Sequence, residues 1–154
     1  MIAKIIRSSF PGLESDPNFP DMVNAYAIES SLDGLPPPCP DLGMYRAMDT
    51  AGFLHTSCAV VDGRVVGFIL VLLSPLPHYS VHVATIESFF VLSRYRQSGA
   101  GFKLLREAEM IAEENGSAGI FINAANGKDL SKIMQKMKSY RQTHVTYFKR
   151  VNHA

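Results

Sequence analysis

Apolar and polar positions along the chain fall into runs whose spacing assigns most of its elements. AKIIR (residues 3–7) is short and apolar and predicts a first strand. From Asp16 the spacing turns helical. Pro20 suits a first helical turn, and Val23, Tyr26 and Ala27 share one face. DGLPPPCPD (residues 33–41) carries four prolines, which deny both helix and ladder, so a stiff exposed loop is expected. LGMYRAMDTAG predicts a second short helix ending near Gly52.

The pattern changes after residue 53. LHTSCAVV and RVVGFILVLLS are apolar runs joined by Asp62-Gly63. Asp-Gly at that place predicts a type I′ hairpin, since both turn positions need positive φ. The second run is apolar on both alternations, so that strand should be buried on both faces. A proline loop follows, then VHVATIESFFVLS, a third long strand with polar Glu87 and Ser88 set into an apolar stretch. Leu104, Leu105, Ala108, Ile111 and Ala112 make one stripe at helical spacing, and Asn115-Gly116 ends it. AGIFINA predicts a short buried strand. KDLSKIMQKMK predicts a helix with Leu130, Ile133, Met134 and Met137 on one side, and THVTYFKRV a closing strand. The order β-αα-ββ-β-α-β-α-β, without repeats or linkers, predicts one α/β (α+β) domain over residues 1–154.

Composition narrows the function classes. The chain has 154 residues, 47% apolar and 19% charged, with a formal net charge of +1. No global field draws it to nucleic acid or an acidic membrane, and neither partner is expected. The longest apolar stretch, residues 65–73, is too short to span a bilayer. The N-terminus lacks a signal-peptide pattern. Cys39 and Cys58 have no CxxC spacing, so free thiols, no metal site and a cytoplasmic location are expected.

The chemistry concentrates in SRYRQSGAGFKLLREAE (residues 93–109). A strand feeds a glycine-bearing turn into a helix start, where backbone N–H groups lack internal partners and the helix dipole favours an anion. Arg94, Arg96, Lys103 and Arg106 surround it, with no acid from 94 to 106. On spacing alone, a solvated basic face is the other reading. A Walker A motif is excluded because Gly101 is followed by Phe102-Lys103. The dinucleotide fingerprint is excluded because Leu104 stands where its third glycine belongs.

Arg96, Gly99 and Gly101 match Arg-x-x-Gly-x-Gly. With ESFFVLSRYRQSGAGFKLL (residues 87–105), the chain resembles the GCN5-related N-acetyltransferase (GNAT) family. It looks like a phage and bacterial branch of unassigned substrate. The element order and the ending SYRQTHVTYFKRV extend the likeness to about residue 151. The resemblance implies a mixed, mostly antiparallel sheet of six to seven strands with about four flanking helices. It also implies acetyl transfer from acetyl-CoA to an unidentified amine acceptor by direct attack in a ternary complex. The host cytoplasm is the location if the gene belongs to a phage, and a homodimer is left open. The alternative is an inactive or weak acyl-CoA-binding module of the same fold.

The same resemblance implies residue roles. Backbone N–H groups of Gln97, Ser98, Gly99, Ala100, Gly101 and Phe102 would cradle the pyrophosphate, with Arg96 leading into the turn and Lys103 or Arg106 reaching the phosphates. Phe90 and Val91 would pair with the pantetheine amides, and Asn123 would line the other side of the cleft. Glu87 is the expected general base, stripped of water by Ile86, Phe89 and Phe90. His55, His78 and His82 are fallbacks. The family's tyrosine acid in the last helix has no counterpart, since Ile133 and Met134 stand there; Tyr140 is the nearest candidate, set against a mechanism with no side-chain acid. Tyr45 and Tyr79 are weaker candidates, better suited to lining the acceptor site. The loop at residues 33–41 would wall the acceptor pocket or be plain surface.

Overall fold

The computed structural model describes residues 1–151. Five strands form one sheet in the order β1-β2-β3-β4-β5. They are β1 Lys4–Ser8, β2 Leu54–Val61, β3 Arg64–Leu76, β4 Val81–Val91 and β5 Ile120–Ile122. Neighbours are antiparallel except β4 and β5, which run parallel. Helices α1 Phe10–Glu14, α2 Phe19–Ser30 and α3 Leu42–Thr50 precede β2, while α4 Ala100–Glu114 and α5 Asp129–Lys136 flank β5.

The β2–β3 hairpin turns as its sequence predicts, with Asp62 and Gly63 at φ 48° and 77°. The apolar run of β3 is buried on both faces. Val66, Ile69 and Val71 join the core under α4, built on Leu104, Ala108 and Ile111. Phe68 and Leu70 join the opposite core, built on Phe10, Leu13, Phe19 and Met22 of α1 and α2. The result is a three-layer domain with α4 on one face and α1–α3 on the other. Arg7 of β1 ties the sheet edge to α4 through Glu107 and Glu114. The guanidinium of Arg7 holds the Glu114 carboxyl below its usual range.

Three expectations need correction. The sheet has five strands among the described residues, not six to seven. The segment THVTYFKRV is not a strand: residues 137–151 carry neither helix nor ladder, and 143–151 are exposed. Its alternation is weak, with Lys149 on the parity of Val145 and Tyr147, so it has no clean apolar face to bury. The β5 edge beside it is only three residues long. Finally, α1 is an additional short helix, started by the Ser9 side chain accepting from Gly12 N–H at 3.1 Å. Residues 152–154 of the expected domain lie outside the described residues.

One glycine fixes the geometry beside the future site. Gly67 of β3 lies opposite Val91, and a Cβ there would stand 2.7 Å from the Phe90 carbonyl oxygen and 2.9 Å from Val91 Cγ2. Gly67→Ala should therefore lose about 1–3 kcal/mol, read as a lowered denaturation midpoint. An unchanged midpoint would show that the two strands can part without cost.

Candidate active site

Strand β4 carries the site because its pairing changes halfway along. Leu70 of β3 pairs with Ser88, but the next residue, Val71, pairs with Ile86. Glu87 is thus an extra residue in β4, a bulge. Neighbouring strand residues normally face opposite sides of a sheet. At this bulge Glu87 and Ser88 both line one cavity. On the other edge, β4 pairs with β5 only from Ala84 to Ile86. From Glu87 to Val91 that edge has no strand partner among the described residues.

The parity of the open edge can be read from one bond. Leu92 N–H donates to Val66 carbonyl at 2.9 Å. Antiparallel ladders alternate, so Phe90 also turns its amide and carbonyl to β3, while Phe89 and Val91 turn theirs to the open edge. The Val91 carbonyl there accepts from Arg96 Nε at 2.9 Å. Both Phe90 and Val91 side chains are buried.

A 3₁₀ turn, Ser93–Ser98, leads from β4 to α4. Gly99 sits between them at φ 80° and carries no capping side chain, but the Ser98 hydroxyl accepts from Ala100 N–H at 3.3 Å, which leaves Gly101 and Phe102 N–H as the open donors of the α4 start. Ser98 is buried and shapes the turn, with its hydroxyl donating to Tyr95 carbonyl at 2.6 Å. Gln97, Gly99 and Phe102 are exposed. Three of the four expected cations bond elsewhere within the protein. Arg96 holds Glu29 at 2.6 and 2.7 Å, Lys103 Nζ donates to Ala3 carbonyl at 2.6 Å, and Arg106 pairs with Glu109. Arg94 lies over the Tyr95 ring at 5.1 Å. The two glycines differ in kind. Gly99 needs its left-handed φ, whereas a Cβ on Gly101 would meet only the Phe89 ring at an ordinary 3.6 Å. Nothing inside the protein asks for glycine at 101, which keeps the first turn of α4 bare for a close approach from outside.

The cavity of about 270 Å³ lies over the bulge. Tyr26 of α2, Tyr45 of α3, Cys39 of the proline loop, and Glu87 and Ser88 all border it. The proline loop therefore does wall it. Glu87 is exposed, not stripped of water as its apolar neighbours suggest, because the bulge swings it off the packed face. Its carboxylate accepts from Tyr45 hydroxyl at 2.7 Å and Ser88 hydroxyl at 2.6 Å. Burial, then the bond to Glu87, raises the Tyr45 pKa, so Tyr45 stays a hydroxyl donor at any working pH. Burial likewise raises Tyr26, whose hydroxyl lies by the Ser88 side chain and Phe89 backbone.

Other expected residues are placed apart. Asn123 is exposed directly after β5, at the mouth between the diverging strands. Tyr140 hydroxyl donates to Glu109 of α4 at 3.0 Å, and burial raises its pKa first, that bond second. It is not among the cavity residues, nor are Tyr79, His55, His78 or His82. Ser88 and Phe89 were not singled out from sequence. Ser88 showed only as half of the polar pair breaking an apolar run, and Phe89 only as an apolar neighbour of Glu87.

The profile of the Acetyltransferase (GNAT) family matches residues 14–130. The chain belongs to the GNAT acetyltransferase family. This acetyltransferase has no match among curated protein sequences. Its fold is similar to aminoglycoside N-acetyltransferase AAC(6')-Iy in complex with a bisubstrate analogue, at TM-score 0.74 and 18% identity over 99% of both chains. An aminoglycoside acetyltransferase from an uncultured soil metagenomic sample, in complex with sisomicin, superposes at TM-score 0.73 and 16% identity over 98% of this chain and 97% of that one. A ribosomal-protein-alanine N-acetyltransferase from Brucella melitensis biovar Abortus does so at 0.71 and 17%, over 97% and 99%. AAC(6')-Iy is also known in complex with CoA. Among the described residues no helix is long and apolar enough to cross a membrane.

Two outcomes follow from the site. Gly101→Ala should leave stability unchanged or raised by up to about 1 kcal/mol, yet weaken acetyl-CoA binding about tenfold. Gly99→Ala should instead cost about 1–2 kcal/mol of stability. Calorimetry beside thermal melts separates the two, and equal acetyl-CoA affinity in Gly101→Ala would remove the close-approach argument. The thiols should also differ. Cys39 is exposed at the cavity, whereas burial pushes Cys58 up to about 11. A thiol reagent at pH 8 should label Cys39 alone in the native protein. Labelling of Cys58 at the same rate would contradict its burial.

Proposed function

We propose that the protein transfers an acetyl group from acetyl-CoA to a primary amine, by direct attack while both are bound. The β4 bulge carries this reading. It sets a carboxylate at the floor of a cavity, beside a strand edge without a strand partner that leads to a helix start with open Gly101 and Phe102 N–H groups.

Acetyl-CoA supplies an acyl group already activated as a thioester. The residues present fit it. The bare N–H groups at Gly101 and Phe102 suit its pyrophosphate, reinforced by the dipole of the 15-residue α4. Of the outward backbone groups there, the Val91 carbonyl is held by Arg96 and the Phe89 N–H meets Tyr26, so the Phe89 carbonyl and the Val91 N–H are the ones left for an amide-bearing arm to pair with. That moves the expected role of Phe90 to its neighbour Phe89. Arg96 braces the Val91 end of that edge and the Glu29 carboxylate of α2, rather than meeting phosphate itself. Asn123 borders the far side of the opening.

The acceptor arrives as an ammonium ion and must lose a proton before it can attack. Glu87 is the group placed to bind that cation and take the proton, directly or through a water. Tyr45 and Ser88 hold its two oxygens in place. A backbone N–H on the open edge of β4 is the donor available to the carbonyl oxygen as it gains charge. The leaving thiolate needs a proton from solvent or from a hydroxyl. Tyr140 remains the expected side-chain candidate, but its proton is directed at Glu109 and its raised pKa makes it a weaker acid. That one observation favours the second reading, a binding module with little turnover.

Glu87→Gln should lower kcat by about 10²-fold. Acetyl-CoA affinity, measured by calorimetry, should be unchanged. If thiol release persists at the native rate and pH dependence, Glu87 is not the base. If the native protein binds acetyl-CoA but releases no thiol with any amine, the module reading holds.

A further inference from the structure

We propose that the acceptor is a compact primary amine with a single positive charge on an apolar or aromatic body. This rests on the acetyl-transfer reading above and narrows it. Polyamines, aminoglycosides and peptide N-termini are then poor acceptors.

Charge is the first argument. Among the described residues, Glu87 is the only charged side chain bordering the cavity. Most carboxylates on the elements packed around it are engaged, and the two without a partner, Asp21 of α2 and Asp33, do not border the cavity. Glu29 of α2 is held by Arg96, and Glu14 of α1 by Arg46. Asp41 caps α3 by accepting from Met44 N–H at 3.0 Å, and Asp49 accepts from Phe10 N–H at 2.9 Å. One ammonium can be matched at Glu87. A second or third, carried into the same space, would meet no counter-charge and would lose hydration without return.

The walls are the second argument. Val23, Ala27, Pro38 and Pro40 give an apolar surface, and Tyr26 and Tyr45 add two rings. Those rings are fixed from beneath. Tyr45 stacks on Phe10 at 5.0 Å and 21°, and Tyr26 meets Phe68 edge-on at 5.9 Å. Aromatic walls suit both a hydrocarbon body and a cation held near a ring. The rigid floor gives a fixed shape rather than an adaptable one.

Size is the third. The volume of about 270 Å³ lies below the range of about 300–1,000 Å³ typical of small-molecule pockets. A phenyl ring with a two-carbon amine fits that scale, whereas a three-ring aminosugar would have to extend out of the cavity's open side.

The test uses the native protein and separate readouts. Calorimetry with acetyl-CoA comes first, then binding of each amine to the CoA-loaded protein, then thiol release. Phenethylamine and hexylamine stand for the proposed class, against spermidine, kanamycin and an alanine-starting tetrapeptide. The expected kcat/KM for the first two exceeds that for the others by about tenfold or more. Ala27→Asp, which adds a second carboxylate to the wall, should narrow the gap to spermidine by about fivefold. The proposal fails if spermidine, kanamycin or the peptide matches the monoamines. It also fails if acetyl-CoA binds while the monoamines neither bind nor react, an outcome that leaves the donor site standing. Failure of acetyl-CoA to bind at all removes the donor reading, and the acceptor class with it.

Discussion

The single extra residue in β4 governs the rest of the site. Without the bulge, Glu87 and Ser88 would face opposite layers, one toward the α4 core and one toward α1–α3. With it, both reach the same cavity and their side chains can bond to one another. The bulge sits just where pairing with β5 stops, after Ile86. A bulged strand bends and twists more strongly. That bend is a physical reason for β4 and β5 to part there, which leaves the strand edge bare up to Val91. Gly67 completes the arrangement by letting β3 stay close to β4 beyond the bulge. The cavity, the place of Glu87 in it and the open edge are thus consequences of one register change.

Much of the fold was legible because its causes are local. The Asp62-Gly63 turn needs only two residues able to take positive φ. The α4 stripe needs only its own spacing, and its burial at Leu104, Ala108 and Ile111 follows. What escaped depends on partners distant in sequence. The bulge exists only relative to β3, so the polar pair in an apolar run could suggest a functional carboxylate but not its exposure. The convergence of Tyr26 and Tyr45 on β4 depends on how α2 and α3 pack against Phe68 and Phe10, which periodicity does not encode. The closing segment shows the opposite error. A weak alternation was read as a strand, although a strand forms only where an edge of sufficient length receives it.

The site's electrostatics also differ from what counting charges implies. Four cations near the glycine turn suggest a basic patch. Three of them make short bonds within the protein: Arg96 to Glu29 and Val91, Lys103 to the N-terminal backbone, and Arg106 to Glu109. These bonds position β4, β1 and α4 around the turn. They leave the helix start to act through its N–H groups and dipole. Gly101 then has an explanation that the fold alone does not provide. It costs helix stability in the first turn, and its missing side chain spares only space outside the protein. Gly99, one residue before the helix, is required by backbone conformation. The two glycines of one short motif therefore differ in kind: the backbone conformation requires Gly99, whereas no contact inside the protein requires Gly101.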